Sequence, residues 1–333
     1  QNLTLLLIII ISLLFTLIGI LYSRKHQGLS NYLTAGRNVG VLSLTTTLVA
    51  SALGAWILFG PASAATWGGI GSVIGYSLGT AFPMIAMIFL GKKIRKVFSK
   101  GNTLTEFIYH KFGKKIFKLI LVLTIFYMFI FLCAEITAVS MLVNYISGTP
   151  LWLTATLVIV TTLIYTLYGG LRASILTDNL QFFIVLILLS ISAYYLFSLN
   201  YNYISFGYLQ TKSSHLLSGK YFPNYTAGLT FFIAVAATNL FHQGNWQRIF
   251  AAKNDEVLKK SLLFSFIIII PIVFFMGICG IIAISIDSKI NPDLAFFSIL
   301  LKDDTKFLSV IVIILAVSLT ISTRSFESKA VIG

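Results

Sequence analysis

The chain has 333 residues, of which 57% are hydrophobic and only 10% are charged. This composition excludes an ordinary soluble domain and predicts one all-α polytopic membrane protein spanning residues 1–333. A net charge of +14 would suit a nucleic-acid-binding protein, but the basic residues lie in short segments between apolar runs. We therefore expect the lipid bilayer, and no nucleic acid, as a partner. Cys133 and Cys279 lie within apolar runs and indicate neither a disulfide framework nor a metal site.

Nine apolar runs are long enough to cross a bilayer. The first, at 3–22, is predicted to be a leading helix. The others are numbered here core helices one to eight, and they lie at 41–66, 70–90, 116–146, 150–168, 176–198, 226–247, 261–285 and 307–331. Core helix two carries Gly71, Gly75 and Gly79 at four-residue spacing, which predicts close helix packing rather than a binding site.

The basic residues also predict an orientation. Of the 24 Lys and Arg residues, 19 fall in alternate segments on one side of the predicted spans, Arg172 and Arg248 among them. Such residues accumulate in cytoplasmic loops, so we expect an integral membrane protein, in the plasma membrane, with its N-terminus outside. The mixed segment 103–112 lies on the basic side and is predicted to be a helix on the inner membrane surface.

Core helices one and six are predicted to be broken. Helix one is interrupted by Gly54 and Pro61, which weaken helix continuity and release backbone carbonyls. Helix six carries Asn239, His242 and Gln243, a polar cluster too dense for a surface that faces lipid. Broken helices are tolerated at membrane depth only where they line a cavity or pack against protein. The pair of breaks is therefore typical of a transporter.

Two carboxylates lie at or near membrane depth. Glu135 is in the middle of core helix three, where an unpaired carboxylate costs on the order of 3 kcal/mol. It must be protonated, paired or in contact with a wet cavity, and both a structural pair and a transport role remain open. Asp178 follows the Gly169-Gly170 pair at the start of core helix five. It is either an N-cap that faces water or a functional carboxylate at the membrane rim.

Two motifs resemble those of a known family. The segment YTLYGGLRASILTDNLQ (165–181) is followed by HQGNWQRIFAAKN (242–254), and together with the hydropathy pattern they are similar to the sodium/solute symporter family over residues 30–333. The segment GAWILFGPASAATWGGIGSVIGYSLGTAFP and the ending SLTISTRSFES look most like its urea-carrier-like branch. Enzyme motifs such as a P-loop or GxSxG are absent from the sequence. We therefore expect a transporter with no enzymatic activity, no catalytic residues and no cofactor.

The resemblance implies a fold of ten core helices in two five-helix inverted repeats, preceded by a leading helix. Here the first repeat would be 41–198 and the second, incomplete repeat 226–333. Core helices nine and ten would be absent, because the sequence stops at the end of core helix eight. We expect the chain to be a fragment of a longer protein; a degenerate copy is the alternative.

The resemblance also implies two sets of site residues. The sodium ion would be bound by backbone carbonyls in broken helix one, by hydroxyls in helix eight and by the aspartate of the first motif: Ala50, Leu53, Ser322, Thr323, Asp178 and, in an alternative register, Ser325. Solute contacts in helix six would be Asn239, His242 and Gln243. Ala52 stands where proline-type carriers have an aspartate, so we expect ion affinity or stoichiometry to differ.

The implied function is sodium-coupled symport of a small polar solute by alternating access. The resemblance and the helix-six side chains favour urea or a proline-like solute. A transporter-fold sensor and a degenerate, non-transporting fragment are the alternatives. A proton-coupled carrier that uses Glu135 or Asp178 is a variant of the first hypothesis. The sequence makes no prediction about oligomeric state.

Overall fold

The structure is a computed structural model that describes residues 2–24, 28–99, 101–199, 205–301 and 306–318. The α-helices in these residues are α1 (Asn2–Arg24), α2 (Leu29–Thr34), α3 (Val41–Ala52), α4 (Gly60–Val97), α5 (Leu104–Ser147), α6 (Leu151–Leu199), α7 (Phe206–Lys212), α8 (Ser214–Leu217), α9 (Phe222–Phe241), α10 (Gln243–Ala251), α11 (Asp255–Ile286), α12 (Ala295–Leu300) and α13 (Lys306–Ser318). Short 3₁₀ segments at Ala35–Arg37, Ala55–Leu58 and Pro292–Leu294 connect some of them.

Five stretches of helix in these residues are long and apolar enough to cross a membrane: Thr4–Tyr22, Gly60–Val97, Leu104–Ser147, Gly170–Ser198 and Asp255–Ile286. Three shorter apolar helices accompany them, at Val41–Ala52, Leu151–Val160 and Lys306–Ser318. They correspond in order to the leading helix and to core helices one to five, seven and eight, whereas core helix six, which is interrupted at His242, is not among them. These helices confirm the prediction of an all-α polytopic protein. Helices suit a bilayer because they satisfy their own backbone polar groups in lipid.

At two glycines, a pair of predicted spans is joined into one long helix with a bend. Gly69 in α4 has φ 57° and ψ −154°, and Gly170 in α6 has φ 59° and ψ −179°. Side chains disfavour positive φ, so each glycine lets the chain bend sharply while hydrogen bonding continues around it. A Cβ at Gly170 would also lie 2.7 Å from Cδ2 of Tyr32. Gly69 thus joins core helices one and two, and Gly170 joins core helices four and five.

The glycine stripe of core helix two packs against α9. A Cβ added to Gly71 would lie 1.7 Å from the carbonyl oxygen of Asn224, and one added to Gly75 would lie 2.1 Å from that of Gly228. A Cβ at Gly79 would approach the carbonyl oxygen of Phe231 to 2.9 Å. These backbones touch, so the prediction of close helix packing is confirmed.

Both predicted helix breaks are present. Helix one ends as α3 at Ala52 and resumes as the 3₁₀ segment before α4, with Leu53 outside helical geometry at φ −100° and ψ 54°. Helix six ends as α9 at Phe241 and resumes as α10 after His242, which has φ −65° and ψ 109°. α3 packs between α6 and α11, so the first break lies inside the helix bundle.

Segments predicted to share a side of the membrane meet at one end of the bundle. The Arg37 guanidinium donates to the carbonyls of Ser99 and Gly101, and Val39 pairs with Ala252 through the backbone. The predicted surface segment 103–112 is helical and bends away from the rest of α5 at Gly113. Its place at the membrane surface remains a prediction.

Candidate functional site

The break in helix one is held by a carboxylate from α5. Glu135 is fully buried, and its Oε2 accepts the amide N–H of Ala55 at 2.8 Å. Its Oε1 accepts the next amide, that of Trp56, at 3.3 Å. A carboxylate is acceptor-only when ionised and bonds strongly to two backbone amides at the start of a helical segment. Glu135 therefore caps the 3₁₀ segment Ala55–Leu58, and the sequence did not identify this partner.

The same contacts release carbonyl groups at the end of α3. In a continuous α-helix each amide donates to the carbonyl four residues earlier, so Ala55 and Trp56 would bond to Ser51 and Ala52. Their N–H groups go to Glu135 instead. The Leu53 ψ of 54°, far from the helical value of about −42°, likewise turns the following amide away from Ala50. The Glu135 contacts thus release the carbonyls of Ser51 and Ala52, and the geometry of Leu53 releases that of Ala50, one of the two predicted carbonyl ligands.

The amide of Ile57 behaves in the same way. It donates to the carbonyl of Gly54 at 3.1 Å, within the 3₁₀ turn, rather than to Leu53. Ala50 and Leu53, the two predicted carbonyl ligands, therefore lie on either side of the same opening in the backbone. The amides that would bond to these two carbonyls in a continuous helix are turned elsewhere.

The break in helix six is bridged by its own side chains. Asn245 Nδ2 donates to the carbonyl of Asn239 at 3.0 Å, and Trp246 Nε1 donates to the carbonyl of Leu240 at 2.7 Å. Both bonds run from α10 to the last turn of α9 and satisfy carbonyls that the break leaves open. His242, between the two helices, is buried. The side chains of α10 thus stabilise the interruption.

The two breaks lie against each other. The Ser51 hydroxyl shares its single hydrogen between the carbonyl of Leu48, at 3.0 Å, and Oδ1 of Asn245, at 3.4 Å. Asn245 in turn donates to the carbonyl of Asn239. A chain of hydrogen bonds therefore connects the end of α3 with a predicted solute residue. The structure brings the first carbonyl pair and the helix-six cluster into one region.

Asp178 belongs to a buried ion pair rather than to a helix cap. Asp178 lies eight residues after the bend at Gly170, within helix rather than at its start, and both the Asp178 and Arg248 side chains are fully buried. Arg248 Nη2 lies 2.5 Å from Asp178 Oδ2, and its Nε donates to Thr47 Oγ1 at 2.7 Å. The Thr47 hydroxyl donates to Asp178 Oδ2 at 2.6 Å. The N-cap interpretation of Asp178 is therefore wrong.

The placement of Arg248 corrects a second expectation. The charge count treated it as a loop residue on the basic side, but it lies inside α10 and its Nη1 also bonds to the carbonyl of Gly244 at 3.2 Å. A buried charge of this kind requires an opposite charge beside it, and Asp178 provides that charge. Arg248 links the helix-six break to α6 and α3.

Neutral polar groups extend the contact between α3 and α6. The Thr46 hydroxyl donates to Asn179 Oδ1 at 2.6 Å, and Asn179 Nδ2 donates to the Ser43 hydroxyl at 2.7 Å. Asn179 directly follows Asp178. The Asp178 carboxylate thus meets Thr47 of α3, and the Asn179 amide meets Thr46 and Ser43. These bonds fix the register between the two helices.

Several buried amide groups near these contacts lack hydrogen bonds. Both polar atoms of Gln181, and Oε1 of Gln243 and Gln247, have no hydrogen-bond partner in the part of the chain that the structure describes. Buried polar atoms are normally paired with protein or water. Gln181 lies one turn after Asp178, and the other two belong to α10. These atoms keep unused hydrogen-bonding capacity beside the two breaks, among the described residues.

The predicted site residues have different outcomes. Ala50, Leu53, Asp178, Asn239, His242 and Gln243 lie along the two breaks and the adjoining turn of α6. Ser322, Thr323 and Ser325 lie outside the described residues. Sequence reasoning missed Thr47, Asn245 and the burial of Arg248. The burial of Arg248 could have been predicted because this charged residue closely follows the polar cluster of helix six.

Comparison with known proteins finds two relatives that are both named as transporters. The chain is 28% identical over 313 residues to the spermidine transporter DUR31 of Candida albicans, covering 93% of this chain and 59% of that protein. It is also 28% identical over 186 residues to the sodium/glucose cotransporter of Vibrio parahaemolyticus, covering 51% of this chain and 32% of that one. The chain therefore spans about three fifths and one third of the lengths of these relatives.

A solved structure shares the fold. The substrate-bound outward-open state of a Na⁺-coupled sialic acid symporter superposes with a TM-score of 0.75 at 15% identity, covering 98% of this chain and 71% of that one. This likeness confirms the predicted transporter fold. The model of the sodium:solute symporter family matches residues 32–323. The chain thus belongs to the sodium:solute symporter family, a family of transporters rather than enzymes.

Proposed function

We propose that the protein is a secondary active transporter that carries sodium and a small polar solute together across the membrane by alternating access. The observation that carries this proposal is the diversion of the Ala55 and Trp56 amides to Glu135, which opens carbonyl groups in helix one beside the break in helix six. Sodium is a hard cation that prefers oxygen ligands, and broken helices supply such oxygens in transporters.

The proposed sodium ligands are those that the family resemblance implies: Ala50, Leu53, Ser322, Thr323, Ser325 and Asp178. Ala50 and Leu53 are supported by the released carbonyls at the end of α3. Asp178 Oδ2 already accepts bonds from Arg248 and Thr47, so a sodium ion at this oxygen would compete with the guanidinium. Ser322 and Thr323 lie within the stretch that the family model matches, and Ser325 lies beyond it.

The proposed solute is neutral or zwitterionic, with urea and proline as the first candidates. Asn239, His242 and Gln243 lie at the helix-six break, and Oε1 of Gln243, which has no hydrogen-bond partner among the described residues, is suited to accept an N–H from a solute. The Candida relative is named for spermidine, a polyamine cation. Here the carboxylates of Asp178 and Glu135 already bind Arg248 and backbone amides, which favours an uncharged solute over a polyamine.

Uptake by cells or vesicles that carry the protein tests the proposal. Labelled urea, proline and spermidine are offered separately in sodium and in potassium buffer. Uptake that requires sodium is expected, and it should fall in Ser322→Ala and Thr323→Ala. If those variants retain sodium-dependent uptake and Ser325→Ala loses it, the ion ligand is in the alternative register. Equal uptake in potassium contradicts sodium coupling.

The proposed orientation, in the plasma membrane, places the N-terminus outside and the basic segments that contain Arg37, Lys92 and Arg95 in the cytoplasm. It is supported by the asymmetry of basic residues and by the contacts that gather their segments at one end of the bundle. Labelling of a single cysteine introduced at Lys96 or Lys289 by a membrane-impermeant reagent tests it. Labelling in intact cells is expected at Lys289 alone.

A further inference from the structure

We propose that Glu135 is a positioning residue for sodium, because its carboxylate holds helix one open between Ala50 and Leu53, whose carbonyls are the proposed ligands. The inference rests on the proposed function and extends it to a residue of α5. Glu135 does not itself touch the ion in this proposal. It acts by taking the two amide groups that would otherwise bond to the carbonyls of Ser51 and Ala52 and continue the helix through the stretch between Ala50 and Leu53.

The geometry of the contact is specific. Each oxygen of the buried carboxylate accepts one of two successive amides, Ala55 at 2.8 Å and Trp56 at 3.3 Å. No neutral side chain of the same size offers two acceptors in this arrangement, because a glutamine replaces one oxygen by an NH₂ donor. The carboxylate is therefore matched to the open backbone, and a glutamine would leave one amide facing a donor.

Removal of the carboxylate changes the balance between two backbone conformations. With Glu135 present, the amides of Ala55 and Trp56 are satisfied without the carbonyls of Ser51 and Ala52. Without it, the buried amides recover a partner only by returning to those carbonyls, since an unpaired buried donor is costly. The helical conformation then competes with sodium for the same region of backbone.

The same face of α5 also reaches the break in helix six. Tyr127 and Phe131 lie eight and four residues before Glu135, which places the three side chains on one side of the helix. The ring centroids of Tyr127 and Phe131 lie 6.5 Å and 5.9 Å from that of His242. One helix face thus contacts the ion region through Glu135 and the solute region through its aromatic rings.

The experiment measures sodium binding without the need for a known solute. The protein is purified in detergent, and its thermal unfolding midpoint is recorded while sodium chloride replaces choline chloride at constant ionic strength. A ligand that binds only the folded state raises the midpoint, so the titration yields a half-saturating sodium concentration. Glu135→Gln is compared with wild type and with Glu106→Gln.

Glu106 provides a matched control. It also lies on α5, and its carboxylate accepts the backbone amide of Asn102 at 2.9 Å, but at the far end of the helix. In Glu135→Gln the half-saturating sodium concentration is expected to rise by about tenfold or more, as for the loss of one bond to a charged acceptor. In Glu106→Gln it should stay within about twofold of wild type.

The outcomes are separable. A purely structural role would lower the midpoint in choline and leave the half-saturating sodium concentration unchanged, and that result overturns the inference. If Glu135→Gln does not fold, Glu135→Asp replaces it: its shorter carboxylate is expected to give a smaller increase, and no increase overturns the inference. Wild-type protein that does not respond to sodium contradicts the proposed function itself, and the inference with it.

Discussion

The guanidinium of Arg248 and the carboxylate of Asp178 form an ion pair from which water is excluded. Their Nη2 and Oδ2 atoms are 2.5 Å apart, and neither side chain is exposed. The Thr47 hydroxyl bonds to both partners, so α3, α6 and α10 meet at one charged cluster. The cluster lies one turn before the end of α3 and one turn after the start of α10, beside both helix breaks.

Removal of either charge is expected to destabilise the protein strongly. Arg248→Met leaves the Asp178 carboxylate buried without its counter-ion, and Asp178→Asn does the same to Arg248, each at about 3–5 kcal/mol. The double variant Asp178→Asn, Arg248→Met should recover much of the loss, because no lone charge remains buried. The midpoint of thermal unfolding in detergent is measured for wild type, the two single variants and the double variant.

The control for this cycle is the exposed pair of Lys260 and Glu256. Their atoms are 2.7 Å apart, but both side chains are largely in solvent. Water screens such a pair, so Lys260→Gln is expected to leave the unfolding midpoint unchanged. A double variant no more stable than the single ones would show that the two charges do not act as a pair.

Thr47→Val tests the bridging hydroxyl. The substitution keeps the shape of the side chain but removes a donor to Asp178 and an acceptor for Arg248 Nε, at an expected cost of about 1–3 kcal/mol. Thr45→Val, two residues earlier, removes only a bond to the carbonyl of Val41. We expect a clearly lower unfolding midpoint for Thr47→Val alone. Equal midpoints would contradict the bridging role.

Gly75→Ala tests the close packing of α4 on α9. A Cβ at Gly75 would lie 2.1 Å from the carbonyl oxygen of Gly228, so the helices must separate, at a cost of about 1–3 kcal/mol. Gly207→Ala is the control, because a Cβ there meets no atom within 4 Å. The unfolding midpoint should fall for the first variant and hold or rise for the second. Tolerance of Gly75→Ala would place α9 farther from α4.

Asn245→Asp tests the link between the two breaks. The aspartate keeps the shape but loses the Nδ2 donor to the carbonyl of Asn239, and it places two oxygens against each other. We expect the KM for the transported solute to rise by about fivefold or more, at about 1 kcal/mol or more for the lost bond. Initial uptake rates at saturating sodium give the KM.

Asn144→Asp is the matched control for that measurement. Asn144 Nδ2 donates to the carbonyl of Thr149 at 3.0 Å, an equivalent bond at the end of α5 that is remote from the breaks. The KM of the Asn144→Asp variant should equal that of wild type. A KM in Asn245→Asp that matches this control would remove Asn245 from the solute region.

The sequence by itself determined the features that depend on local composition. Apolar runs of membrane length predicted the helices, and Gly54 with the polar residues 239–243 predicted where helices one and six break. The spacing of Gly71, Gly75 and Gly79 predicted a close helix contact. Each of these signals lies within one helix, because propensity and hydrophobicity act over a few neighbouring residues.

Only the tertiary structure decided how the charged groups are paired. Thr47 and Asp178 are 131 residues apart in the chain, Asp178 and Arg248 are 70 apart, and Glu135 meets an amide 80 residues away. No local pattern encodes such partners. They follow from how the helices pack, and they form because a buried charge at these positions is tolerated only when another element satisfies it.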